Sequence, residues 1–134
     1  MNAHPMQQVL DSMPFAAGLG IELDSAAPEQ VTARLAWAPR LCTTGGLLHG
    51  GALMAFADSI GGLCAFLNLP EGAGTATISS STNFLRAVRG GVVHGTARRL
   101  HAGRTVIVVQ TDLTDDSGKP AAQTTQAQAV IPPR

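Results

Sequence analysis

The chain has 134 residues, nine of them basic and nine acidic, so its formal net charge is zero. This length favours one domain, and the balanced charge gives no general electrostatic attraction to nucleic acid or to an anionic membrane. Charged residues make up only 13%, against roughly a quarter in a typical soluble domain, while hydrophobic residues make up 45%. We therefore expect further copies of the chain to cover much of the surface, although an Ala-rich and Gly-rich core gives a similar composition.

Signals for export, metal binding and membrane insertion are missing from the sequence. Residues 1–15 contain no Lys or Arg and no apolar run long enough for a signal peptide, so we expect a cytoplasmic protein. Cys42 and Cys64 are too few for a disulfide framework and have no zinc-binding spacing, which predicts packing roles. The most apolar stretch, residues 47–69, is interrupted by polar side chains and is not expected to span a membrane.

The first part of the chain is predicted to contain a short helix, a hairpin and a loop. Residues 5–12 fit a helix that ends before Pro14, because proline disfavours helix in the preceding residue, and residues 1–17 would form an appendage. Residues 20–37 contain two extended segments with a turn between them, and the second alternates apolar and polar side chains, which predicts a β-hairpin. Residues 39–46 show no periodicity and are predicted to form a loop.

The second part is predicted to be one long helix followed by strands. Residues 49–67 are apolar at almost every position, which predicts a helix buried on all sides. Gly61 and Gly62 each cost roughly 1 kcal/mol of helix propensity, so we expect the helix to approach a sheet closely there. Short glycine-containing connections separate four segments of strand character and predict antiparallel hairpins: 75–88, 92–101, 105–114 and 121–131. This order predicts an α+β fold for residues 1–134, a single domain in which one antiparallel sheet curls around one helix.

Asp58 is the one charged residue of the predicted helix. An ionised carboxylate is costly to bury unless it is hydrogen-bonded, paired or placed at a cleft. Asp58 is therefore either held by nearby backbone groups or by a hydroxyl such as that of Ser59, or it acts as a general base or nucleophile.

His49, Gly50 and Gly51 open the same helix. The first backbone N–H groups of a helix have no intrahelical acceptor, and the two glycines would let a ligand approach closely. These residues form either an oxyanion hole for acyl transfer or a polar cap with glycines that ease packing. Gly50 and Asp58 are eight residues apart, about 12 Å along a helix, so they cannot flank one carbonyl carbon. If both are catalytic, they must meet across a two-fold dimer, with antiparallel helices and two equivalent sites.

The sequence resembles the hotdog-fold acyl-CoA thioesterases of the phenylacetate-degradation and 4-hydroxybenzoyl-CoA thioesterase superfamily, over about residues 18–131. The most specific part of the match is residues 46–52 (GLLHGGA) with Asp58 nine residues after His49. Three further segments support it: NFLR at 83–86, HAGR at 101–104 and DDSGK at 115–119. The resemblance implies a sheet wrapped around the helix, dimers joined at their sheet edges, tetramers built from such dimers, and hydrolysis of acyl-CoA without metal or organic cofactor.

Site residues follow from this resemblance position by position. Asp58 matches the family's catalytic carboxylate, the Gly50 N–H its oxyanion donor, and His49 an orienting histidine. Thr77 matches a hydroxyl that helps to place the water in some members. Thr43 is the fifth catalytic candidate and a departure from the family, because relatives commonly carry Asn or Gln six residues before the histidine, whereas threonine is shorter and has one hydroxyl.

Further candidates concern substrate binding. Thr77, Ser79, Ser81 and Asn83 are predicted to share one strand face, which is either a polar wall beside the helix or a solvent-facing stripe. Five of the eight arginines lie within residues 86–104, and arginine is well suited to binding phosphate. The candidate substrate-binding residues are Gly51, Ser59, Arg86, Arg89, Gly103 and Arg104.

The sequence hypothesis is a thioesterase that cleaves an aryl- or fatty-acyl-CoA, with Asp58 activating water or attacking the thioester itself. One alternative is a hotdog acyl-thioester dehydratase or hydratase, whose motifs pair histidine and carboxylate at different spacings. The other is a non-catalytic acyl-CoA-binding protein, although no DNA-binding segment accompanies the domain in this sequence.

Overall fold

A computed structural model describes residues 4–134 and shows a six-stranded antiparallel sheet packed against one long helix. In chain order the elements are α1 (Gln7–Asp11), α2 (Pro14–Leu19), β1 (Glu22–Ala26), β2 (Gln30–Ala36), α3 (Gly50–Phe66), β3 (Gly74–Phe84), β4 (Val92–Ala102), β5 (Val106–Thr114) and β6 (Pro120–Ile131). The sheet order is β1-β2-β4-β5-β6-β3, and two short 3-10 turns lie in the predicted loop. The predicted α+β hotdog architecture is confirmed.

The core lies between α3 and the concave face of the sheet. Phe56 and Ile60 are fully buried on the inward side of α3. They pack over Gly95 of β4, where an added Cβ would lie 2.7 Å from Ile60 and 2.9 Å from Phe56. A side chain at this position would therefore push the helix away from the sheet.

The helix is not buried on all sides, contrary to the sequence prediction. A stripe of α3 is exposed in the single chain and includes Gly51, Met54, Asp58 and Phe66. Met54 is 41% and Phe66 49% exposed, which is unusual for large apolar side chains within a core helix. The uniform apolar sequence hid this stripe because nothing in its periodicity separates a core-facing side from an exposed side.

The connection between β3 and β4 is not a hairpin, which corrects one of the predicted pairings. β3 pairs with β6 at one edge of the sheet, whereas β4 pairs with β2 and β5. Residues 85–91 cross from β3 to β4 past the start of α3, where Leu48 donates its backbone N–H to the Val88 carbonyl at 2.9 Å. The predicted strand 75–88 therefore ends early, at Phe84.

A β-bulge at Ile78 changes which polar side chains of β3 share a face. Thr77 lies opposite Gln128 of β6, but after the bulge it is Ser80 that lies opposite Gln126. Directly opposed residues project to the same side of a sheet, so the bulge reverses the alternation. The predicted single face is wrong: Thr77 is on the concave side, together with Ser80 and Thr82, whereas the convex side carries Ser79, Ser81 and Asn83.

The N-terminal segment contains two helices rather than one. The first helix ends before Pro14 as predicted, but Pro14 also begins α2, at a position where its missing N–H costs nothing. Leu10 and Ala16 are buried against the core. Residues 1–3 of the predicted appendage lie outside the described residues. Within residues 4–134, none of the helices combines the length and hydropathy needed to span a bilayer.

Candidate active site

The N-terminus of α3 has one backbone donor without an acceptor. Gly51 donates to His49 Nδ1 at 2.7 Å, so His49 caps the helix through an unprotonated nitrogen. The next two N–H groups, of Ala52 and Leu53, donate to the His49 carbonyl at 2.9 and 3.2 Å. The N–H of Gly50 finds no acceptor anywhere in residues 4–134. The capping arrangement therefore leaves the Gly50 N–H free, which is the donor predicted from the sequence to stabilise an oxyanion.

A pocket of about 410 Å³ adjoins this donor. Thr43, Gly50 and Arg86 all line it, so the structure brings these three predicted residues together. The ring of Phe84 covers Gly50 closely enough that an added Cβ would lie 3.3 Å from it. The remaining lining is largely apolar and includes Leu47, Leu53, Leu85 and Val88.

The loop that carries Thr43 is fixed by Trp37. Trp37 donates its indole N–H to the Gly46 carbonyl at 3.0 Å, and its backbone N–H bonds the Gly91 carbonyl. Gly45 and Gly46 both have positive φ, which glycine adopts without steric cost. The indole of Trp37 therefore holds in place a loop that lines the pocket.

Asp58 lies on the exposed stripe of α3 and accepts a hydrogen bond from a side chain of the sheet. Gln126 of β6 donates its amide Nε2 to Asp58 Oδ1 at 3.2 Å. The neighbouring Ser59 hydroxyl instead donates to the Ala55 carbonyl at 2.7 Å, so it is not the partner of Asp58. Neither of the structural partners weighed for Asp58, the backbone or Ser59, is the one observed.

Gln126 joins Asp58 to the predicted residue Thr77. The same Nε2 of Gln126 donates to Gln128 Oε1 at 3.0 Å, and the Thr77 hydroxyl donates to that oxygen at 2.7 Å. Gln126 and Gln128 are 1% and 3% exposed. Asp58 and Thr77 therefore form a second group of candidates, separate from the group around Gly50, whereas Ser59 follows Asp58 on α3 but takes no part in these hydrogen bonds.

Gly61 makes room for this network, as the predicted close approach of helix and sheet requires. A Cβ at Gly61 would lie 2.0 Å from Gln126 Oε1 and 3.2 Å from Thr111 Oγ1. The prediction holds for Gly61 alone, because a Cβ at Gly62 would meet nothing within 4 Å.

The two candidate groups lie apart in one chain. Helix α3 is continuous from Gly50 to Phe66, so the sequence estimate of about 12 Å between Gly50 and Asp58 along the axis stands. One chain does not place an oxyanion donor and a carboxylate on the same carbonyl.

The remaining predicted residues lie at opposite ends of the sheet. Arg86 and Arg89 are in the crossing segment near the start of α3, whereas Gly103 and Arg104 form the turn between β4 and β5. Arg86 Nε lies 3.9 Å from Asp115 Oδ2. Hydrogen bonds from the Ser117 hydroxyl and the Lys119 backbone hold the pKa of Asp115 below its usual range, so Arg86 already faces an anionic carboxylate.

Sequence reasoning missed Gln126 and Gln128. Both lie in a strand whose other face carries Ala127 and Ala129, so the usual rule would place the glutamines toward solvent. Their alternation with period two was the only available signal. Which of the two faces of β6 is buried is decided by where α3 packs and not by the sequence of β6 itself.

A family model described as the thioesterase superfamily matches residues 45–122, which is more than half of the chain. The chain belongs to this superfamily. A Mycobacterium tuberculosis protein that carries an esterase name is 32% identical over 115 residues, which cover 84% of this chain and 82% of the relative.

Solved thioesterase structures agree with this membership over nearly the whole chain. A mutant of the Pseudomonas aeruginosa thioesterase PA1618 superimposes with a TM-score of 0.89 at 30% identity, covering 98% of this chain and 96% of that one. A thioesterase protein of Streptococcus pneumoniae, solved with coenzyme A, gives a TM-score of 0.77 at 26% identity, covering 85% and 88%. As a member of the thioesterase superfamily the chain is a thioester hydrolase, which confirms the reaction class predicted from sequence.

Proposed function

We propose that this thioesterase hydrolyses acyl-CoA as a two-fold dimer, in which Asp58 of one subunit and the backbone N–H of the partner subunit's Gly50 form each site. The observation that carries this proposal is the free N–H of Gly50, which lies on the same helix as Asp58 but about 12 Å from it. A donor and a carboxylate so placed can act on one carbonyl only if two helices lie side by side and antiparallel.

The exposed surface around α3 supports this pairing. Met54 and Phe66 on the helix are continued by exposed apolar side chains in and just after β3, namely Ile78, Phe84 and Leu85, which are 52–60% exposed. β3 is an edge strand with neighbour β6 on one side only. Covering this apolar area with a second copy would explain the low charge content of the chain.

In the chemistry we propose, Asp58 takes a proton from water while the water oxygen bonds to the thioester carbon. The carbonyl oxygen becomes an oxyanion that accepts the Gly50 N–H, a donor already oriented before the reaction. The tetrahedral intermediate then loses the CoA sulfur, which receives the proton from Asp58, and the free acid is released. Direct attack by Asp58 on the thioester carbon would instead expel CoA as the thiolate and form an anhydride that water cleaves. Single turnover in ¹⁸O-labelled water tests for this route, because label enters the Asp58 carboxylate only when water cleaves an anhydride at the Asp58 carbonyl.

The choice of CoA as the thiol rests on the Streptococcus pneumoniae structure that contains coenzyme A and on the arginine positions. An antiparallel pairing brings the Arg86 end of one subunit toward the Arg104 end of its partner. Phosphate groups of CoA would then find cationic side chains from both subunits. The cytoplasmic location and the tetramer stay predictions.

A thiol-release assay over a panel of aryl-, short-chain and long-chain acyl-CoA esters tests the substrate class. We expect hydrolysis of at least one ester well above the rate of the Asp58→Asn variant. No hydrolysis of any ester by the wild-type chain would contradict the proposal.

A hybrid dimer tests the shared site. Gly50→Pro removes the proposed donor at the first helical position, where proline is compatible with the helix, and the half-exposed Phe84 ring above it can move. Each homodimer of Gly50→Pro or Asp58→Asn should be nearly inactive. A one-to-one coexpressed mixture should reach about a quarter of wild-type activity, because about half of the dimers carry one intact site.

Hybrids confirmed by mass spectrometry but without activity would show that both groups act within one chain or that Gly50 is not the donor. Sedimentation of the wild-type chain at micromolar concentration provides the companion test. An active monomer would contradict the shared site.

A further inference from the structure

We propose that Gln126 and Gln128 form an amide relay that positions Asp58 and Thr77 for the reaction. This inference rests on the proposed function, because it assigns a task to residues that support the Asp58 carboxylate. The relay consists of five hydrogen bonds made by these four side chains and Thr75, and its two glutamines are buried whereas Asp58 and Thr77 are exposed in the single chain.

The direction of the relay is set at its far end by the backbone. The Thr75 hydroxyl donates to the Ala129 carbonyl at 2.8 Å, and a carbonyl oxygen can only accept. The Thr75 oxygen therefore accepts from Gln128 Nε2 at 3.2 Å, which turns Gln128 Oε1 toward Gln126.

Gln128 Oε1 can only accept, so it requires the NH₂ group of Gln126 opposite it, at 3.0 Å. One hydrogen of Gln126 Nε2 is used in this contact and the second points at Asp58 Oδ1. A flipped Gln126 would place its own oxygen against two acceptors and lose both hydrogen bonds. The backbone carbonyl of Ala129 thus determines, through two amides, that a donor faces Asp58.

The relay is retained although it leaves a buried oxygen without a partner. Gln126 Oε1 and the nearby Thr111 hydroxyl form no hydrogen bond within residues 4–134. An unpaired buried polar atom typically costs about 1–3 kcal/mol. A residue needed only for stability at this position would be apolar, like Val109 directly opposite it and Ile107 beside that residue on β5, so the arrangement points to a task in the site.

The relay also fixes what the two end groups can do. The single hydrogen of the Thr77 hydroxyl is directed to Gln128 Oε1, so the Thr77 oxygen can only accept a further hydrogen bond. Asp58 Oδ1 is occupied by Gln126, and Oδ2 is left for the substrate or water. Both end groups thus present an acceptor, so a water molecule bound at either one donates a hydrogen to it and keeps a lone pair for the thioester carbon.

The variant Gln126→Met, close in size but unable to hydrogen-bond, tests the positioning role. We expect kcat to fall about tenfold while KM stays within about twofold, because Gln126 is not placed to touch the substrate. In the Asp58→Asn background the same change should cost nothing further, since Gln126 acts through the carboxylate. Gln128→Met, one step further along the relay, should give a smaller loss of kcat and serves as the test if Gln126→Met fails to assemble.

Thr111→Val is the matched control, because it alters a buried side chain beside Gln126 whose hydroxyl has no partner. It should keep wild-type kcat and KM. An unchanged kcat in Gln126→Met, or an equal loss with and without Asp58, would overturn the relay while leaving the proposed function intact. A wild-type chain that cleaves no thioester would overturn the proposed function first, and the role of the relay with it.

Discussion

The two edges of the sheet differ in whether their backbone groups are covered and in whether they carry charged side chains. At the start of β1 the side-chain amide of Gln7 forms the two hydrogen bonds that a neighbouring strand would form. It donates to the Ile21 carbonyl and accepts from the Leu23 N–H, both at 2.8 Å. Glu22 and Asp24 add charge on this side. At β3, eleven residues run along the other edge without a charged side chain.

An open, uncharged edge strand is prone to pair with another chain, and proteins usually block such edges with charge, proline or covering segments. This chain blocks the edge far from the candidate site and leaves open the edge beside it. The difference supports the dimer that we propose, in which pairing through β3 would help to build the site, and it agrees with the separation of Gly50 and Asp58 on α3.

Placing a charge on the open edge should have the largest effect. Ile78→Lys sets an ammonium group at the bulge of β3, where Ile78 is 60% exposed in the single chain. Burying an unpaired charge costs several kcal/mol, so we expect at least about a 100-fold weaker association and a parallel loss of thioesterase activity. Sedimentation and thiol release measured at the same concentrations check this.

The control for Ile78→Lys is the same charge on the blocked edge. Ser25→Lys on β1 should leave both association and activity close to wild type, because that side chain is exposed and the edge is not proposed to pair. Dissociation by Ser25→Lys, or a fully assembled Ile78→Lys, would reverse the roles of the two edges.

A second prediction separates assembly at β3 from the chemistry beside it. Asp58→Asn is nearly isosteric and should keep the oligomer and its melting temperature, yet lower thioester hydrolysis by about 100-fold, as expected for loss of a general base or nucleophile. Near-normal turnover by the assembled variant would return Asp58 to a structural role.

The smallest effect is expected at the blocked edge itself. Gln7→Ala removes both hydrogen bonds to the β1 backbone and should lower the free energy of unfolding by about 1–2 kcal/mol without changing kcat. Urea denaturation measures it, with the exposed neighbour Gln8→Ala as the control. Equal stabilities for the two variants would show that Gln7 does not secure this edge.

The sequence predicted the parts of the fold that depend on local pattern. The alternation in β2 and the glycine-containing turns of β4, β5 and β6 are local signals, and these elements form as expected. The partner of β3 could not be read this way, because its neighbour β6 lies some forty residues later and residues 85–91 resemble an ordinary turn. The bulge at Ile78 was equally hidden, since β-bulges depend on the opposing strand.

The candidate site likewise has one part that local pattern predicted and one part that depends on long-range packing. The placement of Gly50 at the start of α3 and its separation from Asp58 follow from helix geometry and could be calculated beforehand. The contact between Asp58 and Gln126 joins residues 68 positions apart and depends on how β6 faces the helix. Pattern analysis therefore located the proposed reacting groups but not the side chain that hydrogen-bonds to Asp58.

The hydrogen bond between Trp37 and the Gly46 carbonyl has a practical consequence. Trp37 is the single tryptophan and the chain has no tyrosine, so emission excited at the indole band comes from one side chain, which is hydrogen-bonded to a loop that lines the pocket. Because the indole N–H is held by the loop that carries Thr43, a ligand that displaces this loop would release that N–H to solvent and move the emission to longer wavelength. The protein thus contains its own optical reporter of pocket occupancy, usable without any label.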